Sequence, residues 1–185
     1  MQWFRRARPA AASWNLAKTA IQVVVFWGLF LFVVPPIVVD LAAAAGSLPR
    51  PTAFLRTIGA LLFVAASTLG LLSAFTMAIH GSGTPLPFDA PRSLVVSGPY
   101  GWVRNPMALA GLAQGMAVAL WHGSVAVLGY VIAGGVLWHV AVRPFEEADL
   151  ARTFGTSFYA YKRHVPLWLP SAAAIGRDRE LTSSR

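Results

Sequence analysis

Uncharged apolar runs alternate with short polar segments along the 185 residues. Thr19 to Val39 carries no charge and is bracketed by Lys18 and Asp40, and Thr57 to Ile79 lies likewise between Arg56 and His80. A helix needs roughly 20 apolar residues at about 1.5 Å each to cross a bilayer, so residues 19–39 and 57–79 are expected as spans one and two. Pro35 and Pro36 fall near the far end of the first, where lost backbone hydrogen bonds are most easily replaced. From Asn105 to Val142 there is no Lys, Arg, Asp or Glu. One helix of that length would reach about 57 Å, far beyond the ~30 Å hydrocarbon core, so the run must fold back. Trp121, His122, Gly123 and Ser124 interrupt the apolar pattern and mark the break. The expected architecture is all-α: a single integral membrane domain, 1–185, forming a helical bundle of about four spans. Residues 106–121 and 124–142, spans three and four, make a tight hairpin, and 143–170 a cytoplasmic helical tail.

Composition supports this pattern. The chain is 56% hydrophobic and 12% charged, with a mean hydropathy of +0.59, too apolar for a soluble domain of this size. The absence of cysteine excludes disulfides, thiolate metal sites and thiol nucleophiles. A net charge of +8 is read as membrane topology rather than as a nucleic-acid surface. The basic start, MQWFRRARP, resembles a signal-peptide n-region, but the apolar run beyond it is too long for an h-region and is expected to stay as a span. Lys and Arg number four before span one, two in the 80–105 loop and seven from Arg143 onward, against two between Asp40 and Arg56. The positive-inside rule then places both termini, the 80–105 loop and the tail in the cytoplasm.

Two polar clusters thereby share one face. The 80–105 loop is dense in Gly and Pro, and prolines at 85, 87, 91, 99 and 106 make it a shaped segment, whereas an ordinary connector would carry only scattered turn residues. Pro106 suits the first turn of a helix and Asn105 its N-cap. Arg104 reads either as an interfacial anchor or, with that helix terminus, as a holder of a carboxylate. In the tail, His139, Arg143, Glu146, Glu147 and Leu150 share a helical face, with Pro144 expected to kink the helix or start a new one. Paired acids beside an Arg are usually a solvated face, but these lie within about a turn of the span's end. The aromatic and basic stretch FYAYKRHVPLWLP reads as an interfacial segment on the anionic leaflet, or as a lid. His122 is expected to be structural, His80 and His139 are weak proton-transfer candidates, and the four scattered histidines lack metal-ligand spacing. Gly111 and Gly115 form a GxxxG packing signal. The last residues, GRDRELTSSR, are polar, and 171–185 is expected to fray.

LVVSGPYGWVRNP, an apolar hairpin, and then RPFEEADLARTFGTSFYAYKRHVP resemble, in that order and spacing, the isoprenylcysteine carboxyl methyltransferase family, which shares a superfamily with phospholipid N-methyltransferases. The resemblance covers about Gly81 to Pro170. It implies a short, bacterial-type integral enzyme of the inner membrane, with S-adenosylmethionine bound on the cytoplasmic side by the loop, hairpin and tail. Carried over, it implies cofactor contacts at Arg92, Ser93, Leu94, Val95, Tyr100, Arg104, Asn105, Pro106, Met107 and Glu146, and a catalytic role for Arg143 at the acceptor; an amine acceptor would also need a base such as Glu147 or His139. RNP stands where the family has RHP, and Ala108 where a tyrosine often follows. The cofactor's ammonium would suit a carboxylate, and its carboxylate a helix N-terminus or an Arg. The acceptor is expected to be lipophilic, either a carboxylate such as an isoprenylcysteine or a phospholipid amine. Membrane lipids are the expected surroundings, and nucleic acid is not an expected partner. Two other readings remain: a sterol-type membrane reductase using NADPH, and a non-enzymatic scaffold or transporter.

Overall fold

The computed structural model describes residues 7–45, 51–84 and 89–170, so Pro85, Pro87 and the 171–185 terminus lie outside the described residues. Every regular element among the described residues is helical. α1 (Ala12–Trp27) runs through a π-helical segment, Gly28–Val33, into α2 (Val34–Ala45). α3 is Ala53–His80, α4 the short Pro99–Trp102, and α5 Pro106–His122. α6 (Val125–Leu137) passes through a second π-helical segment, Trp138–Val142, into α7 (Arg143–His164).

Both π-helical segments directly precede prolines, and the cause is the same. Pro35, Pro36 and Pro144 have no N–H to offer the carbonyl four residues back, so the helix widens by one residue per turn just upstream. Accordingly Val34 N–H bonds Leu29 O, and Arg143 N–H bonds Trp138 O, both five residues back. The prolines lie within a helix that continues to Ala45.

Among the described residues three helical runs are long and apolar enough to cross a membrane: Ala12–Ala44, Ala53–His80 and Val125–His164. α5 is as apolar, but with 17 residues it is shorter than these and reaches only about 25 Å. Lipid is the natural neighbour of the outward side chains, since Val24, Phe54 and Val125 are 71%, 71% and 80% exposed. Hydroxyls within α3 are satisfied locally: Thr68, Ser73 and Thr76 each donate to the carbonyl four residues back.

The described chain forms two compact units. One holds residues 20–45, 51–68 and 110–143. There Gly123, at φ 62°, and Ser124, whose Oγ accepts from Val127 N–H, separate α5 from α6. The two helices then pack antiparallel, Gly115 against Val131 and Leu112 against Gly135. A Cβ on Gly115 would stand 2.7 Å from Val131 Cγ2, so the missing side chain is what lets the helices approach. α3 runs antiparallel to α5, with Gly59 against Ala117 and the buried Gln114 donating to Ser67 Oγ at 3.0 Å. Leu31, Val118, Ala119 and Val127 form the core of this unit.

The other unit holds residues 7–19, 69–84, 89–109 and 144–170. Its loop closes on itself, because Gly81 O accepts from Arg92 N–H at 2.8 Å and Thr84 N–H bonds Asp89 O at 2.8 Å. α1 contributes an ion pair from Lys18 to Asp89. Phe158, Tyr161 and Val165 form the core, packed by Leu94, Leu150, Ala151 and Phe154. α7 is bent at Gly155 (φ 51°, ψ −125°), a conformation that glycine reaches without Cβ strain.

Candidate active site

Within this second unit the two polar clusters meet. Gly98, at φ 57°, turns the chain into α4, where Tyr100 is buried. The Tyr161 hydroxyl donates to Tyr100 O at 2.7 Å, tying the far half of α7 to the turn before α5. Asn105 then does two things. Its Oδ1 accepts from Ala108 N–H at 2.9 Å, capping α5, and its Nδ2 donates to Glu146 Oε2 at 3.3 Å. The cap thus holds its amide toward α7.

Arg104 is tied more heavily. Its N–H bonds Pro166 O at 2.8 Å, and Nη1 donates to both Lys162 O and Val165 O at 3.0 Å. Nη2 pairs with Glu147 Oε1 at 3.4 Å, and the other Glu147 oxygen receives Lys162 Nζ at 2.5 Å. Glu147 is therefore held by two cations, while Arg104 caps the C-terminal carbonyls of α7. Arg104 Nε is buried and makes no hydrogen bond among the described residues.

The neighbouring glutamates differ electrically as a result. Burial, and secondly the charge of Glu147, push Glu146 up to about 7 from an ordinary 4.5. A carboxyl so placed changes charge near neutrality and gains most from a nearby cation. Burial also raises the Tyr100 phenol well above its usual range, with Tyr161 and Glu146 adding to the shift. Tyr161 is raised by burial, partly opposed by Arg104, so both phenols stay neutral donors at physiological pH.

The remaining sequence-predicted positions distribute unevenly. Leu94 packs on the Phe158 cluster and Val95 is buried, so both serve the wall of the unit. Arg92 and Ser93 are exposed and bond Gly81 O through their backbone N–H groups. Pro106 is buried and Met107 half-buried in the first turn of α5. Arg143 belongs to the other unit, where its Nε donates to His139 O at 3.2 Å. Tyr161 and Lys162, from the stretch expected as an interfacial segment or a lid, join the site through Tyr100 O and Glu147. The repeat of Phe154, Phe158, Tyr161 and Val165 at helical spacing was the available signal for Tyr161. Among the described residues no three His, Cys, Asp or Glu side chains gather as a metal site.

Comparison with known proteins assigns a family to this all-α chain. Residues 54–157 match the phospholipid methyltransferase family, and the chain belongs to it. It is also 29% identical over 153 residues to methanethiol S-methyltransferase 2 of Bradyrhizobium diazoefficiens, an alignment covering 74% of this chain and 57% of that protein. The chain thus spans somewhat over half the length of this curated relative. No solved structure matches it.

Proposed function

We propose that the chain is an integral membrane methyltransferase that uses S-adenosylmethionine. The observation that carries the reading is the Asn105–Glu146 hydrogen bond, which joins the two motifs within the segment matched by the family. The residues fit such a cofactor. Glu146, raised to about 7, is a half-charged carboxyl that an ammonium would convert to its ionised form. The buried, unbonded Arg104 Nε offers a donor for a carboxylate. When bound, the cofactor supplies an electrophilic methyl group on a sulfonium.

The protein's own part is alignment and exclusion of water, because in-line displacement needs little else. In this reading Glu146 and Asn105 bind, Tyr100 closes the wall, and Arg104, Glu147 and Lys162 position them. Glu147, held by two cations, is better placed to fix the tail than to move a proton. Arg143, Arg92, Ser93 and Met107 remain assignments by resemblance. The site faces the cytoplasm of a bacterial inner membrane, following the distribution of Lys and Arg.

The acceptor is lipophilic and reaches the site from the bilayer. The relative's printed name favours a second reading, a small thiol as acceptor. A thiol must surrender its proton as it attacks, whereas a carboxylate needs only orientation. The test is transfer of a labelled methyl group from S-adenosylmethionine by the reconstituted chain, offered isoprenylcysteine, phosphatidylethanolamine and methanethiol in separate reactions. Labelled product from one acceptor class identifies it. No product from any of them, together with no saturable cofactor binding, would remove the proposal.

A further inference from the structure

The half of α7 beyond its Gly155 bend has two faces of different chemistry. Phe158, Tyr161 and Val165 are turned into the core. On the other side Thr156, Tyr159, Lys162 and Arg163 line an open hollow of about 460 Å³. Among the described residues its lining is a hydroxyl, an aromatic ring and two cations. Lys162 is shared with Glu147, but Arg163 forms no ion pair among the described residues.

The depth of this hollow follows from Arg104. Its backbone N–H and Nη1 bind the carbonyls of Pro166, Lys162 and Val165, and the next residue caps α5. The last turn of α7 is therefore bolted to the mouth of an apolar helix that contains no Lys, Arg, Asp or Glu. That is the level at which an apolar segment meets lipid headgroups. Tyr159, 57% exposed, stands beside the cations as an interfacial ring would.

We propose that the hollow lined by Thr156, Tyr159, Lys162 and Arg163 binds the phosphate headgroup of an anionic phospholipid. Arg163 and Lys162 meet the phosphate, the Thr156 hydroxyl donates to it, and Tyr159 lies against the glycerol and upper acyl chain. A zwitterionic headgroup is disfavoured, because its ammonium would be carried against the exposed Arg163 guanidinium. A free phosphate has the charge but not the apolar part that would use Tyr159. The hollow shares Lys162 with the Glu147 ion pair, but the proposal does not depend on the activity proposed above.

The test uses the full chain in a non-ionic detergent, with short-chain phosphatidylglycerol, short-chain phosphatidylcholine and inorganic phosphate titrated separately and binding read by native mass spectrometry. Saturable phosphatidylglycerol binding is expected, with the other two probes weaker by about tenfold or more. Arg163→Gln is expected to weaken phosphatidylglycerol about fivefold, Arg163→Lys to recover most of the loss, and Thr156→Ala to weaken it less. All three variants should keep the parent's thermal midpoint, since these side chains are exposed. Equal binding of the two lipids, phosphate binding as tight as phosphatidylglycerol, or indifference to Arg163→Gln would each overturn the proposal.

Discussion

Asn105 and Glu146 stand 41 residues apart in sequence, and the side-chain amide of one donates to the carboxyl of the other at 3.3 Å. The contact works because Asn105 is already immobilised as the cap of α5, so its amide is aimed without further loss of side-chain entropy. Glu146 is left with a buried carboxyl near an ionised neighbour, a state that costs stability and that a bound cation would relieve.

That cost is measurable as a pH dependence. The folded value, about 7, lies above the ordinary 4.5, so the contribution of Glu146 is fully present below pH 4.5 and is lost as pH rises through 7. Glu146→Gln should flatten the stability profile across this window and stabilise the protein above pH 7, by at most about 3 kcal/mol. Thermal midpoints in detergent between pH 4.5 and 8 would show it. A variant profile parallel to the parent's would mean that Glu146 is not so perturbed.

Arg104→Lys is not expected to be conservative. A single ammonium cannot serve the carbonyls of Lys162 and Val165 and also Glu147, all of which Arg104 now reaches. The loss should be about 1.5–3 kcal/mol, with faster amide exchange in residues 158–166. Unchanged exchange there would contradict the latch.

Tyr161→Phe removes one hydroxyl and leaves Tyr100 O without that donor. A cost of about 1–3 kcal/mol is expected, with increased exchange in residues 98–104, because the carbonyl lies against a buried ring. A stability change below about 0.5 kcal/mol would show that water replaces the bond freely.

Gly155→Ala tests the bend in α7. Nothing lies within 4 Å of the added Cβ, so any loss comes from the backbone, at φ 51° and ψ −125°. About 1–3 kcal/mol should be lost. A more stable variant would indicate that α7 can straighten without penalty.

Gly115→Ala tests the hairpin in the other unit. Its Cβ would meet the stiff, branched Val131 at 2.7 Å, so about 1–3 kcal/mol should be lost and largely recovered in Gly115→Ala with Val131→Ala. Strict additivity of the two changes would remove this contact from the account.

Much of this was legible in the sequence, for identifiable reasons. Charge-free runs located the long helices because bilayer thickness leaves few other options, and Trp121 to Ser124 carried turn chemistry that ends α5. Asn105 before Pro106 read as a cap because both residue types have local preferences. Interactions with backbone acceptors were not legible. Arg104 is engaged by the carbonyls of Lys162 and Val165, and carbonyls leave no trace in side-chain pattern. The division between Glu146 and Glu147 was hidden as well, since adjacent helical residues point about 100° apart and only the fold decides which meets two cations. The bend at Gly155 sits in an otherwise helical pattern, where a lone glycine is usually tolerated unbent.

The most direct test is a double-mutant cycle on S-adenosylmethionine binding, measured by calorimetry on the reconstituted chain with Asn105→Ser, Glu146→Gln and both together. Serine keeps a capping oxygen for α5 but cannot reach Glu146, so the cycle isolates the contact. The account predicts saturable binding by the parent, at least about tenfold loss in Glu146→Gln, and little further loss when Asn105→Ser is added. Binding by Glu146→Gln equal to that of the parent, or losses that simply add, would contradict the claim that these two residues form one cofactor site.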